Sequence, residues 1–152
     1  MSNQPLTAAF SHHAFLRGLS ERHLMMLASG VRPLTLRLGE LLAHEGQPAK
    51  ALYLIQTGHV AIETYRPAGG AVRVQTVGPG EVVGWSWIVE PYRWQFDARA
   101  MDAVTALALD AEWLRERCAS DHELGYCLLK ELVAVIAARL SATRLQLLDV
   151  YK

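Results

Sequence analysis

The residues best suited to chemistry lie in one stretch, residues 78–100, which reads GPGEVVGWSWIVEPYRWQFDARA. It holds three of the four tryptophans of the chain, and its glycines allow the backbone to turn sharply or to approach a ligand closely. Backbone N–H groups at such turns bind anions, and indole rings pack against flat molecules. The stretch therefore predicts a ligand cradle, although an aromatic-rich corner of a hydrophobic core would have the same composition.

Seven residues of this stretch are candidates for binding a ligand. Trp85 and Trp87 flank Ser86. Trp94 returns from the far side of a loop, so these side chains would form an aromatic-walled pocket with one hydroxyl group. In the alternative interpretation the tryptophans fill that volume and leave a closed core, and the apolar neighbours of Trp87 favour the core for that residue. The candidates are Gly84, Trp85, Ser86, Trp87, Arg93, Trp94 and Gln95.

No catalytic or metal site is predicted from the remaining residues. The strand-rich region contains two histidines, His44 and His59, without the His-x-His spacing of a metal-dependent cupin-type enzyme. Cys118 and Cys127 have neither metal-ligand spacing nor the pattern of a disulfide framework. The histidines near the N-terminus lack carboxylate or cysteine partners at ligand spacing, so we expect them on the surface: His12, His13 and His23.

The composition indicates one globular domain. Of the 152 residues, 51% are hydrophobic and 20% are charged, which is enough apolar surface to build a core. Fifteen basic and fifteen acidic residues balance, so the chain lacks the basic character of a nucleic-acid-binding protein. No apolar run reaches the roughly 18 residues that span a bilayer, and the N-terminus has no signal-peptide pattern. We therefore expect a cytoplasmic protein without membrane contact.

The elements that must position the candidate residues begin with helices. Residues 4–30 have helical periodicity, with Ser20 placed to cap a second helix and Gly30 placed to end it. The second helix continues with Leu24, Met25 and Leu27 at helical spacing. The apolar face of the first helix comprises Ala8, Phe10, Ala14, Phe15 and Leu19.

From Val31 the apolar period changes from helical to two, as Leu34, Leu36 and Leu38 alternate with other residues. Glycine-containing turns separate the short strands that follow. Many short strands with such turns indicate an antiparallel barrel or double-sheet jelly roll. The later strands are predicted at residues 41–44, 52–57, 59–65, 72–77, 81–83, 96–100 and 104–109.

The pattern returns to helix after Asp110. A short helix covers residues 111–118, and Ser120 or Asp121 can cap a last helix that runs from about residue 122 to about residue 150. That helix would be roughly 40 Å long, which exceeds what a small barrel can cover. A second chain or another partner would then cover part of its apolar stripe, unless the helix folds back entirely over its own barrel. The stripe comprises Leu129, Leu132, Val133, Ile136, Leu140, Leu147 and Val150.

The predicted fold is mainly β with flanking helices. It is an antiparallel double-stranded β-helix or jelly roll, with two N-terminal helices and a long C-terminal helix. Within one domain, residues 1–30 form the N-terminal helices, residues 31–110 the β-roll, and residues 111–152 the C-terminal helices including a dimerisation helix.

Several short motifs resemble the cyclic-nucleotide-binding domain, and above all the sensor half of Crp/Fnr-type bacterial regulators. The glycine placements make the resemblance specific, and it extends over about residues 16–145. It implies the roll just described and a regulatory function in signal transduction. The matching motifs are Leu38-Gly39-Glu40, Glu45-Gly46, Gly58-His59-Val60, Gly80-Glu81-Val82-Val83-Gly84 and Arg99-Ala100.

The resemblance also shows where the chain departs from the family. The family cradle reads Phe-Gly-Glu and later Arg-Ser or Arg-Thr; its glutamate accepts a hydrogen bond from the ribose and its arginine neutralises the cyclic phosphate. Here Gly84 matches, Trp85 replaces the glutamate, and one alignment places Trp94-Gln95 at the Arg-Ser position. Arg93 is one residue away, which in an extended strand means the opposite face. A different placement of the deletion would make Arg93 the anion partner.

This departure predicts a changed ligand preference. A buried phosphate without its counter-charge costs roughly several kcal/mol, and the lost bond to glutamate about 1.5–3 kcal/mol more. Together they would weaken micromolar binding to worse than about 1 mM. We therefore expect cyclic AMP not to bind tightly, and the ligand to be a different cyclic nucleotide or another small anionic or aromatic molecule.

The resemblance adds two candidates on the long helix. Arg139 and Thr143 are one helical turn apart, and in the family such residues reach the nucleotide base and couple binding to the dimer. Without that role they would be ordinary residues of an exposed helix face.

The leading functional hypothesis is a stand-alone sensor domain that forms a homodimer through its last helix and signals to a protein partner. The alternative is a dimeric protein-interaction module that has lost its ligand. The chain stops where the helix-turn-helix module of the regulators begins, so we expect no direct DNA binding. Neither hypothesis makes the protein an enzyme.

Overall fold

The computed structural model describes residues 10–151 as a roll of eight strands flanked by helices. All eight predicted strands and both predicted C-terminal helices are confirmed, with ends that differ from the predictions by at most two residues. In chain order the elements are a 3-10 turn (Ala14–Leu16), α1 (Glu21–Ala28), β1 (Val31–Leu36), β2 (Leu41–Ala43), β3 (Ala51–Thr57), β4 (Val60–Arg66), β5 (Gly70–Val77), β6 (Val82–Val83), β7 (Asp97–Ala100), β8 (Val104–Asp110), α2 (Ala111–Ser120) and α3 (His122–Val150).

The strands form two four-stranded antiparallel sheets, in the orders β1-β8-β3-β6 and β2-β7-β4-β5. Neighbours along the chain are therefore often in different sheets, which is the double-sheet jelly roll that the alternating pattern predicts. β4 lies between β7 and β5 in the second sheet, so Ile62 faces both Ala98 and Gln75 across its two edges. This sheet carries most of the strand residues of the candidate site.

Two hydrophobic clusters hold the fold together. One lies under the helices and contains Leu52, Leu54 and Trp87, whereas the other lies between the sheets and contains Ile55 and Trp94. β3 is buried on both faces because it contributes to both clusters. Burying a large apolar side chain contributes about 1.5–3 kcal/mol, so this strand anchors the roll to its helices.

The N-terminal predictions are partly confirmed. The Ser20 hydroxyl accepts a hydrogen bond from the N–H of His23, as a cap residue should. Gly30 does not end α1 in a left-handed conformation, since Ser29 is the cap and Gly30 has no positive φ. Gly30 instead makes room for Trp113, whose ring would lie 2.6 Å from an added Cβ. The predicted first helix does not continue through Leu19, because His13 is extended and residues 14–16 form only a 3-10 turn; Ala8 of its predicted apolar face lies outside the described residues.

The surface prediction was right for His12 and wrong for the other two N-terminal histidines. His13 is buried, its Nε2 lies 2.9 Å from the carbonyl oxygen of Ile55, and its Nδ1 accepts from the N–H of Phe15. His23 is buried with its Nε2 3.1 Å from the Asp121 carboxylate. Burial lowers the pKa of His13, and the bond to Ile55 opposes this shift only in part. Both rings have polar partners that lie far away in sequence.

α3 buries only part of its apolar surface. Leu124, Leu128 and Leu132 pack against the roll, and Arg139 is the buried residue nearest the C-terminal end of the helix. The rest of the predicted stripe is exposed: Leu129, Val133, Ile136, Leu140, Leu147 and Val150. Within residues 10–151, no helix is both long enough and apolar enough to cross a membrane.

Candidate functional site

A cavity of about 330 Å³ opens between the second sheet and α3. Four of the nine predicted site residues line it: Trp85, Gln95, Arg139 and Thr143. The walls come from β4 and β5 on one side and from α3 on the other. The remaining lining residues are Ile62, Thr64, Val74, Gln75, Phe96, Ile136 and Leu140.

The strand residues of this cavity were missed from the sequence. Ile62 and Gln75 are paired across β4 and β5, next to a register shift between Ile62 and Glu63. The polar Gln75 in an otherwise alternating strand was the available signal. Only the strand register, which pairs Gln75 with Ile62, assigns Gln75 to the cavity. A shift of one residue would turn its side chain to the opposite face of the sheet.

Arg139 is the charged group of the site. Its side chain is buried, with only 8% of the residue surface exposed, and it donates a hydrogen bond to the carbonyl of Val82. Its guanidinium carbon lies 5.4 Å from the centre of the Trp85 ring, which is cation–π geometry. No carboxylate oxygen among residues 10–151 lies within 4.0 Å of this guanidinium. Burial lowers the pKa of Arg139 and the more distant Glu81 opposes this, but an arginine remains charged at neutral pH.

Thr143 lies one turn further along α3. Its hydroxyl donates to the carbonyl of Arg139 at 2.9 Å, a bond within the helix that fixes the side chain. The two resemblance-based candidates therefore share one wall of the cavity. A ligand in the cavity would contact α3 directly through both residues.

A second cavity of similar volume shares Arg139 and Gln75 with the first. Two carboxylates, Glu81 and Glu131, line the second cavity, whereas no acidic residue within 10–151 lines the first. An anion is therefore favoured in the first cavity, where Arg139 is the charged side chain.

One of the three predicted site tryptophans lines the cavity, and the other two are buried in the hydrophobic clusters. Trp94 is buried, with its ring centre 6.2 Å from that of Tyr53 and 5.8 Å from that of Phe96. Gly84 has a φ of +109°, and an added Cβ would lie 2.7 Å from the Trp94 ring. Trp87 is fully buried in the cluster under the helices. Of the three, only Trp85 lines the cavity beside α3.

Ser86 and Arg93 do not line that cavity. Ser86 is buried, and its hydroxyl has no hydrogen-bond partner among residues 10–151. Arg93 is exposed and donates from Nη1 to the carbonyl of Gly46 at 2.8 Å. Trp94 points inward, so its neighbour Arg93 points outward, as alternation along an extended segment requires. Ser86, Arg93 and Trp94 therefore do not join Trp85 in lining the cavity beside α3.

Comparison with known proteins agrees with this geometry. The family model of the cyclic nucleotide-binding domain matches residues 33–121. A CRP-like cAMP-activated global transcriptional regulator from Mycobacterium tuberculosis is 27% identical over 133 residues, which are 88% of this chain and 58% of that protein. The chain thus spans less than two thirds of the relative's length.

Solved structures show the same fold. A cyclic nucleotide-binding domain from Methylobacillus flagellatus superposes with a TM-score of 0.83 at 21% identity, covering 97% of this chain and 85% of that one. The sensor domain of the transcriptional regulator DNR from Pseudomonas aeruginosa gives 0.73 at 17% identity, covering 91% and 93%. The family match covers more than half of the chain, and the roll and its helices accord with it. The chain belongs to the cyclic nucleotide-binding domain family.

Proposed function

We propose that the chain is a non-catalytic sensor domain whose ligand occupies the cavity between the second sheet and α3. The observation that carries this proposal is the buried guanidinium of Arg139, which lines the cavity without a carboxylate partner among residues 10–151. A buried charge that lacks a counter-ion is costly, and an anionic ligand would supply one. Trp85 provides the flat face beside it.

The ligand that suits this cavity is a compact organic anion with a flat or apolar body. Apolar walls such as Ile62, Phe96 and Leu140 surround the charged group, and Gln75 and Gln95 add amide groups. Pockets of about 300 Å³ or more are the normal size for small-molecule sites. Specificity would come from the few polar groups, since the apolar walls discriminate weakly.

Cyclic AMP itself is a poor match for the residues around Gly84. The indole of Trp85 replaces the expected glutamate, and the Trp94 ring occupies the space beside Gly84. Arg93 lies outside the cavity and bonds to Gly46. Among the described residues that line the cavity, the cation is Arg139, which comes from α3 instead of from the cradle. We therefore propose that the preferred ligand differs from cyclic AMP.

Signalling would pass through α3. A ligand that contacts Arg139 and Thr143 would change the interactions of α3 with the roll. It can shift α3 only if it binds more tightly to one position of the helix than to another. In a homodimer, a second copy of the chain would cover the exposed apolar stripe of α3. A shift of α3 would therefore change the dimer interface. The M. tuberculosis relative is a transcriptional regulator by name. Because this chain carries zero net charge, we propose a protein partner and no direct DNA contact.

A second candidate function is a ligand-free dimeric interaction module. Two contacts favour it: Arg139 already bonds to the carbonyl of Val82, and Trp94 fills the volume beside Gly84. In that case the cavity would contain only water, and α3 would serve the dimer alone.

Native mass spectrometry of freshly purified protein distinguishes the two functions. The sensor predicts a dimer that retains a small molecule, released when the same sample is denatured, and absent from the Arg139→Met variant. A dimer whose mass equals two bare chains, in several preparations and with no stabilisation by organic anions, would favour the interaction module.

A further inference from the structure

A third cavity, of about 270 Å³, opens beside the loop between β2 and β3. It shares no lining residue with the cavity beside α3. Its polar lining consists of His44, Gln47 and Lys50, and its aromatic lining of Tyr53 and Trp94. Among the described residues, no acidic side chain lines this cavity, whereas the cationic Lys50 does.

A buried carboxylate orients the imidazole of His44. Asp97 is only 2% exposed, and its Oδ1 accepts from Nδ1 of His44 at 2.9 Å and from the N–H of Glu45 at 2.8 Å. Nδ1 is thereby occupied, so Nε2 is the nitrogen left for an external partner. A second group that fixes the orientation of a ligand-binding histidine is a recurring device in functional sites.

Lys50 supplies a cation. Its side chain is exposed, and its ammonium makes no hydrogen bond or ion pair with any residue in the described part of the chain. The amide of Gln47 adds further hydrogen-bonding capacity at the same cavity. An ammonium donates charge-assisted hydrogen bonds to a phosphate oxyanion, and Nε2 of His44 lies at the same opening to contact a second phosphate oxygen.

The aromatic side of the cavity restricts the rest of the ligand. The rings of Tyr53 and Trp94 are stacked, with 24° between their planes. Such rings favour a flat group over an aliphatic one. We propose that this cavity binds a small aromatic phosphate monoester, with its phosphate against His44 and Lys50 and its ring against Tyr53.

The protein carries its own control for this proposal. His59 is bonded through Nδ1 to Asp102 at 2.9 Å, and its side chain is 53% exposed, compared with 56% for His44. His59 lines none of the three cavities. The two rings match in exposure and in the length of the bond to the carboxylate, whereas Asp102 is 49% exposed and Asp97 only 2%.

The test is an NMR titration of the full chain with histidine ring nitrogens labelled, using inorganic phosphate and phenyl phosphate as probes. The His44 resonances should shift to saturation while those of His59 stay nearly fixed, and phenyl phosphate should bind several-fold more tightly than phosphate. Lys50→Ala should weaken binding by about tenfold, because it removes a charge-assisted contact, and the exposed Lys130→Ala should not change it.

Three results would overturn the proposal. His44 and His59 shifting together without saturation would show a general ionic effect only. Unchanged affinity in Lys50→Ala would show that Lys50 does not contact the phosphate. Equal affinity for phosphate and phenyl phosphate would show that the aromatic rings of the cavity do not bind the ring of the ligand. Because Arg139 lies in a different cavity, Arg139→Met should leave this titration unchanged, so the outcome is independent of the proposed sensor function.

Discussion

The guanidinium of Arg139 lies over the ring of Trp85, with 5.4 Å from its central carbon to the ring centre. This contact joins α3 to the segment that follows Gly84, at the position where the family carries a glutamate. Under the proposed function, an anionic ligand would therefore contact α3, the helix that presents the exposed apolar stripe.

The first prediction concerns this cation. Arg139→Met should weaken the binding of any organic anion in the α3 cavity by about 10- to 100-fold, since a hydrogen bond to a charged group contributes about 1.5–3 kcal/mol. Arg144→Met is the matched control, because Arg144 lies on the same helix but is exposed and does not line the cavity. Thermal-shift titration with the retained ligand measures both; equal losses in the two variants would mean that Arg139 has no special role.

The second prediction concerns the close contact between Gly84 and Trp94. Gly84→Ala adds a Cβ that would lie 2.7 Å from the indole, at a φ of +109°. Strain and overpacking together should lower the free energy of unfolding by about 3 kcal/mol. Gly39→Ala has a similar φ of +88° but open space around the new Cβ, so it should cost only about 1 kcal/mol.

Urea denaturation of both glycine variants separates the two contributions. The difference between them reports the packing of Trp94 against Gly84. Equal destabilisation of the two variants would show that the Trp94 indole moves aside. The space beside Gly84 would then be open to a phosphate group.

The third prediction concerns pH. The folded state holds His13 neutral, because Nε2 donates to Ile55 while Nδ1 accepts from Phe15, and burial lowers the pKa of His13. The unfolded chain therefore binds a proton more readily, and stability falls as the pH drops below about 6.5, by at most about 1.4 kcal/mol per pH unit for this group. His13→Gln preserves one donor and one acceptor without titrating, so it should flatten this part of the stability curve.

The exposed neighbour provides the control for the pH dependence. His12→Gln is that control, because it makes the same side-chain change at the adjacent, exposed position. Chemical denaturation at several pH values compares the three proteins. A slope that survives in His13→Gln would assign the acid sensitivity to other groups.

The fourth prediction concerns the exposed stripe of α3. If a second copy covers it, Val133→Glu and Leu129→Glu should each convert a dimer into a monomer, because a charge would be buried in an apolar seam. Ser141→Glu adds the same charge about 100° around the helix from Leu140 and should remain dimeric. Sedimentation equilibrium gives the masses; a monomeric wild-type chain would contradict the proposed assembly.

Much of this fold follows from local patterns in the sequence. Eight strands were predicted because apolar residues alternate between glycine turns, and α3 because its stripe continues for nearly 30 residues without a proline. The exposed positions Val133 and Leu140 show that the stripe was also rightly expected to exceed what the roll covers. These features depend on near neighbours, which a sequence displays directly.

The candidate site was less predictable because it depends on register and on distant partners. A register shift of one residue would bury Arg93 and expose Trp94. The pairing of this segment with Gly46 determines that Trp94 is the buried residue. The buried ring of His13 has its hydrogen-bond partner 42 residues away in sequence, and the buried ring of His23 has its partner 98 residues away. No local pattern contains that information.

Calorimetric titration with cyclic AMP tests the central claim most directly, namely that an indole and a helix arginine have replaced the charged cradle. The account predicts no binding, or a dissociation constant weaker than about 1 mM, for the wild-type protein. A low-micromolar dissociation constant with one site per chain would contradict it, because cyclic AMP would then be held without the missing glutamate and cradle arginine.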